Sequence, residues 1–201
     1  MAETKQSKKI TDDELASSFL RAPTMAETMQ RPTERGKSTT EPHGTHAVGD
    51  PFIAQTPWSP ARPETLVVCC SDGRWHEQVE EFVRDQVSER ADMYAVPGGP
   101  AGFSLWSSSF DEAKVSEKAF RFLAEHHALE SVWLIAHQDC AYYREKYGPL
   151  DEPFIIRRQR EDLDRARDLI SRWYPKLLVK KVYVSLDRGR VVFTTLSDEW
   201  K

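Results

Sequence analysis

A chain of 201 residues, 39% hydrophobic and 30% charged, is long enough to bury one substantial core and too polar to be fibrous or membranous. Its net charge of -4 offers no basic footprint for nucleic acid, and no run of residues approaches the apolar length of a membrane span or a secretory signal core. Three cysteines, two of them adjacent, make a poor disulfide framework and fit a reducing, cytoplasmic setting in which thiols stay available to a metal.

Residues 1–60 read as a loosely ordered N-terminal arm. Seven of the twelve prolines fall at or before Pro63, and no aromatic residue occurs between Phe19 and Phe52. Such a stretch cannot bury enough apolar surface to offset the entropy of ordering it. Thr11-Asp12-Asp13-Glu14 is a capping-box pattern that leads into Leu15, Phe19 and Leu20, so a short amphipathic helix is expected there, docked on the body or on a partner subunit. His43 and His46 lie in the same arm, where only adventitious metal binding is expected.

Residues 61–201 read as one α/β domain. Leu66-Val67-Val68-Cys69 is a continuous apolar run suited to a strand buried on both faces, and Val79, Phe82, Val83 and Val87 follow at helical spacing. Met93-Tyr94-Ala95-Val96 predicts a second strand, stopped by Pro97-Gly98-Gly99-Pro100, whose glycines permit a tight loop. Ser109 and Glu112 predict a capped helix with Val115, Ala119, Phe122 and Leu123 as its apolar positions, ending near His126-His127. Val132–Ala136 predicts a third buried strand. A long helix is expected over about Pro153–Trp173, with Leu163, Ala166 and Ile170 inward and its alternating arginines and acids, among them Glu161, Asp162, Asp164 and Asp168, on a solvated face. Lys181–Leu186 and Arg190–Leu196, around Asp187-Arg188-Gly189, predict a terminal pair of strands.

This alternation predicts a mostly parallel central sheet flanked by helices, in which ligands gather at the carboxyl ends of strands. Cys70 directly follows the first strand and His137 the third, so neighbouring strands would bring the two segments together. His137 and Cys140, three positions apart, share a face on a helical turn. With Cys70 they make a soft set of three ligands that favours zinc and leaves room for a fourth, the pattern of a catalytic rather than a closed site. Cys69 points to the opposite face of an extended strand and is expected to fill core volume. A water in the fourth position has its pKa lowered to roughly 7 and is then a nucleophile at neutral pH. Asp72 is near enough to Cys70 to orient it, and Arg74 near enough to keep Asp72 ionised. The same carboxylate could instead close onto the metal, or the Asp72–Arg74 pair could simply shape the turn. His76 reads either as a proton relay or as a surface histidine at a helix start.

Cys70-Ser71-Asp72-Gly73-Arg74 together with His137-Gln138-Asp139-Cys140 resembles the metal signature of β-class carbonic anhydrases, and the resemblance covers about Thr65 to Tyr147. It implies zinc on Cys70, His137 and Cys140, a catalytic pair of Asp72 and Arg74, reversible hydration of carbon dioxide to bicarbonate, and a homodimer or higher homo-oligomer. The chain departs from the family pattern at Val96-Pro97-Gly98-Gly99-Pro100, which lacks the polar residues usual there, and at Ala141-Tyr142-Tyr143, where glycine is usual. Two other readings follow: hydrolysis of a related small electrophile such as carbonyl sulfide or carbon disulfide, and a non-catalytic zinc module with Asp72 fixed on the metal.

Overall fold

The structure is a computed structural model that describes residues 51, 53–88 and 90–197. The chain divides into two compact units, Met1–Pro57 and Trp58–Lys201. Within the first unit the described residues form no helix or strand. The helix expected at Thr11–Leu20, and His43 and His46, lie outside the described residues.

The second unit is built on a five-stranded sheet in the order β2-β1-β3-β4-β5. Its strands are β1 (Thr65–Cys70), β2 (Asp92–Val96), β3 (Ser131–His137), β4 (Leu178–Asp187) and β5 (Arg190–Leu196). The first four pair in parallel and only β5 runs antiparallel to its neighbour. The central strands β1 and β3 are the continuous apolar runs, because helices cover both of their faces. The edge strands β2 and β5 alternate in burial instead. Between β4 and β5 the two-residue turn is Arg188-Gly189, both at positive φ (49° and 78°), as a tight hairpin between right-twisted strands requires. β4 extends beyond the expected 181–186 in both directions, since its Leu178–Lys180 start pairs with Ser131–Trp133 although it is more exposed.

The helices are α1 (His76–Phe82, continued by a π-helical turn Val83–Val87), α2 (Phe110–His127), α3 (Ala141–Tyr147) and α4 (Glu152–Trp173), with a short 3₁₀ helix at Gly99–Phe103. Alternate residues of each strand feed two separate cores. Leu66, Val68, Val132 and Leu134 pack with Phe103 and Phe120, and with Leu163, Ala166 and Ile170 of α4. Val67, Cys69, Trp133 and Ile135 pack with Trp75, Val79 and Val83 on the α1 side. Cys69 is therefore a core residue, and burial followed by the neighbouring Cys70 pushes its thiol up to about 12.

Ser109 caps α2 with the full reciprocal box: its hydroxyl accepts from the Glu112 amide, and its own amide donates to the Glu112 carboxylate. The inward face of α2 differs from expectation. Val115 and Phe122 are 63% and 57% exposed, whereas Ser116 and Phe120 are buried. The reason is close packing: Ser116 lies where the backbone of Gly102 comes within reach of its hydroxyl, and Tyr94 Oη donates to the same Ser116 Oγ. A small residue suits that approach better than a large apolar one. On α4, Leu163, Ala166 and Ile170 are fully buried as expected, but Asp162, expected on the solvated face, is fully buried with them.

The loop after β2 fixes the floor of the region described next. Gly98 and Gly99 both have positive φ (74° and 53°). A Cβ on Gly99 would sit 2.7 Å from the Cys69 carbonyl carbon and 2.8 Å from the Cys70 nitrogen, both backbone atoms that cannot move aside. Gly99→Ala combines this clash with left-handed strain, so a loss of about 2 kcal/mol or more is expected, read as a lower urea midpoint at unchanged slope.

Candidate metal centre

Parallel pairing of β1 with β3 sets Val68 beside Leu134. Two residues past Val68 is Cys70, and three past Leu134 is His137, so the two strand ends deliver a thiol and an imidazole to one place. Cys140 arrives three residues later as the residue preceding α3. The ligand atoms of Cys70, His137 and Cys140 all lie within 4.8 Å of one another, and among the described residues no other group of three such side chains converges this way.

The donor set fits zinc. The two sulfurs are 3.8 Å apart, and two thiolates at about 2.3 Å from one tetrahedral ion would stand roughly 3.8 Å from each other. His137 Nδ1 lies 2.8 Å from the Gln138 carbonyl oxygen. A carbonyl can only accept, so Nδ1 carries the proton and the lone pair is on Nε2. That Nε2 is buried without a hydrogen-bond partner, a cost that a metal in the cluster removes. The thiols also share protons unequally. The hydrogen bond from Cys140 holds Cys70 well below an ordinary thiol, and the same bond together with burial pushes Cys140 up. Binding a divalent ion to both would release that proton.

Asp72 lies in the turn that follows β1. Its Oδ1 accepts from the Arg74 backbone amide at 3.1 Å, an Asx turn, and from Arg74 Nε at 3.0 Å, while its Oδ2 accepts from Arg74 Nη2 at 2.6 Å. The Arg74 guanidinium thereby holds the Asp72 carboxyl below the usual carboxylate range. Arg74 reaches on to Asp139, donating to its carboxylate and to its backbone oxygen, each at 3.1 Å. Asp139, at φ 57°, also accepts from Arg144, which donates in turn to Glu152. Each of these pairs is partly exposed and individually weak, but the chain of them crosslinks the β1, β3 and α4 ends. Asp72 is not part of the three-ligand cluster; its carboxylate is engaged by Arg74.

A cleft of about 650 Å³ opens over these groups, lined by Cys70, Asp72, Arg74, Pro97, Asp139 and Tyr142 among others. Tyr142 leans over Gly98, where any Cβ would meet its ring, and its hydroxyl donates to the Ser107 carbonyl. His76 is the first residue of α1, and its Nε2 lies 3.2 Å from the Cys70 carbonyl oxygen.

Five expected site residues, Cys70, Asp72, Arg74, His137 and Cys140, are thus brought to one strand edge. Four residues of the surroundings carried no expectation of a role. Gln159 and Asp162 of α4 are buried: Gln159 Nε2 donates to the His137 carbonyl at 2.7 Å, and Asp162 accepts from Tyr143 Oη at 2.8 Å. Trp75 packs its ring 5.1 Å from that of His137, and Arg144 holds Asp139. A signal for the α4 pair was present. Ile155, Gln159, Asp162 or Leu163, Ala166 and Ile170 fall on one helical stripe, and a polar residue within an apolar stripe asks for a buried partner.

The fold and this cluster together define an α/β domain with a Cys2His group that could hold a metal ion. The family described as "Putative carbonic anhydrase" matches residues 62–193. The chain belongs to this carbonic anhydrase family. No curated protein matches the sequence significantly. Among solved structures, the β-carbonic anhydrase CafA of Aspergillus fumigatus is similar at 14% identity and a TM-score of 0.43, covering 66% of this chain and 76% of that one. The β-carbonic anhydrase CcaA gives 12% identity, a TM-score of 0.45, and 70% and 79% coverage. Two β-carbonic anhydrases of Sordaria macrospora, described as tetrameric, are represented at 13% identity and a TM-score of 0.41, with 68% and 83% coverage.

The two adjacent cysteines should separate cleanly in a metal assay. Cys69→Ala is expected to keep stoichiometric zinc by elemental analysis while losing on the order of 1 kcal/mol of stability, whereas Cys70→Ala should lose the metal.

Proposed function

We propose that the chain catalyses the reversible hydration of carbon dioxide to bicarbonate, with zinc held by Cys70, His137 and Cys140. The observation that carries this reading is the convergence of the three ligand atoms within 4.8 Å at two strand ends, directly beside the Asp72–Arg74 pair, in a member of a carbonic anhydrase family. Zinc, when bound, supplies a Lewis acid that lowers the pKa of water at its open position to about 7.

The protein's own groups do the rest. Arg74 donates to both oxygens of Asp72 and keeps that carboxylate ionised and fixed at the wall of the cleft. Asp72 would accept a hydrogen bond from the attacking water and so direct the water oxygen's free lone pair toward the substrate carbon. Asp139 and Arg144 keep Arg74 from swinging away. Pro97 and Tyr142 form the apolar side of the cleft, where a small uncharged molecule such as carbon dioxide is accommodated.

The engagement of Asp72 by Arg74 also bears on the alternative of a non-catalytic zinc module, which needs that carboxylate on the metal. The arrangement favours an open fourth position. Among the described residues no helix is long and apolar enough to cross a membrane, and all three cysteines are free, as a reducing cytoplasm would leave them. We further propose that the chain forms a homo-oligomer. Leu105, Trp106, Phe110, Val115 and Phe122 are all more than half exposed along α2 and the loop before it, a cost in water that association would remove.

Asp72→Asn removes the charge and keeps the shape. It should retain zinc while stopped-flow CO2 hydration falls roughly 10²-fold or more, and equal rates in the two proteins would exclude the assigned role. Zinc-loaded wild type without hydration above buffer, but with sulfide release from carbonyl sulfide, would move the substrate to that electrophile. Light scattering on the eluting full-length chain should give a mass of at least two copies; a monomer at micromolar concentration would refute the association.

A further inference from the structure

We infer that Gln159 is a positioning residue for the metal ligand His137, and that Tyr183 sets Gln159 in turn. The inference rests on His137 being a zinc ligand.

Gln159 lies in the inward stripe of α4 and is 1% exposed, in a stretch where its neighbours on the same face are Ile155, Leu163 and Ala166. An amide in such surroundings is expensive unless both of its ends are paired. Both are: Nε2 donates to the His137 carbonyl at 2.7 Å, and Oε1 accepts from Tyr183 Oη at 3.1 Å. Tyr183 stands on β4, directly beside Ala136 in the β3–β4 register. Helix, ligand strand and neighbouring strand are thus joined by one buried chain of hydrogen bonds, whose direction is fixed because a phenol donates to Oε1 only when the amide presents its nitrogen to His137.

The bond falls at the place where it controls the ligand. His137 ends β3, and its ring proton is directed to the carbonyl of the next residue, Gln138. Residue 138 is held from two other sides. The Gln138 amide donates to the Val184 carbonyl at 2.8 Å, and the Gln138 side-chain oxygen accepts from the Leu186 amide at 3.0 Å. The chain then turns sharply at Asp139. The His137 carbonyl, in the same peptide unit as the Gln138 amide, is a further handle on the backbone that carries the imidazole, and Gln159 holds it. Without that donor the buried carbonyl would be unpaired, and a shift of this peptide unit to relieve it would strain the Gln138–Val184 bond and tilt the ring that must offer Nε2 to the metal.

The test measures zinc affinity of the full-length chain by competition with a chromophoric chelator, beside the visible spectrum of the cobalt(II)-substituted protein. Gln159→Leu should weaken zinc binding roughly 10–100-fold and shift the cobalt d–d bands. Tyr183→Phe, which keeps the ring and frees the amide to turn, should weaken it less, in the same direction. Ile170→Ala, buried on the same helix face about three turns from Gln159, should lower the urea midpoint and leave zinc affinity and cobalt bands unchanged. If Gln159→Leu does not fold, Tyr183→Phe carries the comparison. Wild type that binds zinc, with both variants matching it in affinity and spectrum, would overturn the inference while sparing the metal site. Wild type that binds no zinc would overturn the metal site and the inference with it.

Discussion

Everything in this domain depends on one pairing, the parallel alignment of β1 with β3. Cys70 and His137 are far apart in sequence, and neither strand has a side chain that selects the other's ligand. What brings the two ligands together is the ladder from Thr65–Ser131 to Val68–Leu134, continued to the carboxyl ends of both strands. A slip of one residue would turn Cys70 to the α1 side, where Cys69 is buried, and put Cys69 at the site. The register is held against that slip by two cores at once, since each strand feeds alternate residues to the α4 side and to the α1 side. The apolar packing therefore specifies the metal geometry, although no ligand is itself part of the two main cores.

The β1–β3 pairing itself ends at Val68–Leu134, short of the ligands, although Cys70 still pairs with Val96 and His137 with Val184 on the outer sides. Here the domain uses buried polar contacts. Helix α4 carries Gln159 and Asp162 within one turn of each other. The first holds the His137 carbonyl; the second holds Tyr143, three residues past Cys140. Burying Asp162 is costly, and it is made tolerable by the Tyr143 hydroxyl and by Arg165 at 3.3 Å. Burial and then the charge of Asp162 raise the Tyr143 phenol well above its ordinary value, so it remains a donor. One helix face thus ties down both segments that carry the ligands from β3 onward.

Much of this architecture was legible in the sequence where burial is two-sided or a local rule applies. The continuous apolar runs at 66–69 and 132–136 are central strands because helices cover both faces. The Ser109–Glu112 box starts α2 where expected. Both ligand motifs stand at strand ends as read. The errors have physical causes too. Val115 and Phe122 share the apolar character of a core face but lie exposed, and the true inner face contains Ser116, chosen by the close approach of Gly102 rather than by hydrophobicity. Periodicity finds an apolar face without saying what covers it. Asp162 was read as solvated because charge is usually outside; its burial depends on Tyr143, a partner on another helix that a single-helix reading does not supply.

The departures from the family pattern fall in one part of the site and spare another. Ligands and the Asp72–Arg74 pair occupy the turn after β1 and the end of β3, where backbone pairing fixes them. Pro97, Gly98 and Tyr142 occupy the facing wall. Gly98, at positive φ and without a side chain, is what allows the Tyr142 ring to lie where it does. Tyr142 in turn is secured by its hydroxyl on the Ser107 carbonyl, and Ser107 by Tyr147 at 2.6 Å. The facing wall is therefore a packed aromatic one. The wall is not independent of the ligands, because the backbones of Gly98 and Tyr142 also hydrogen-bond the sulfurs of Cys70 and Cys140.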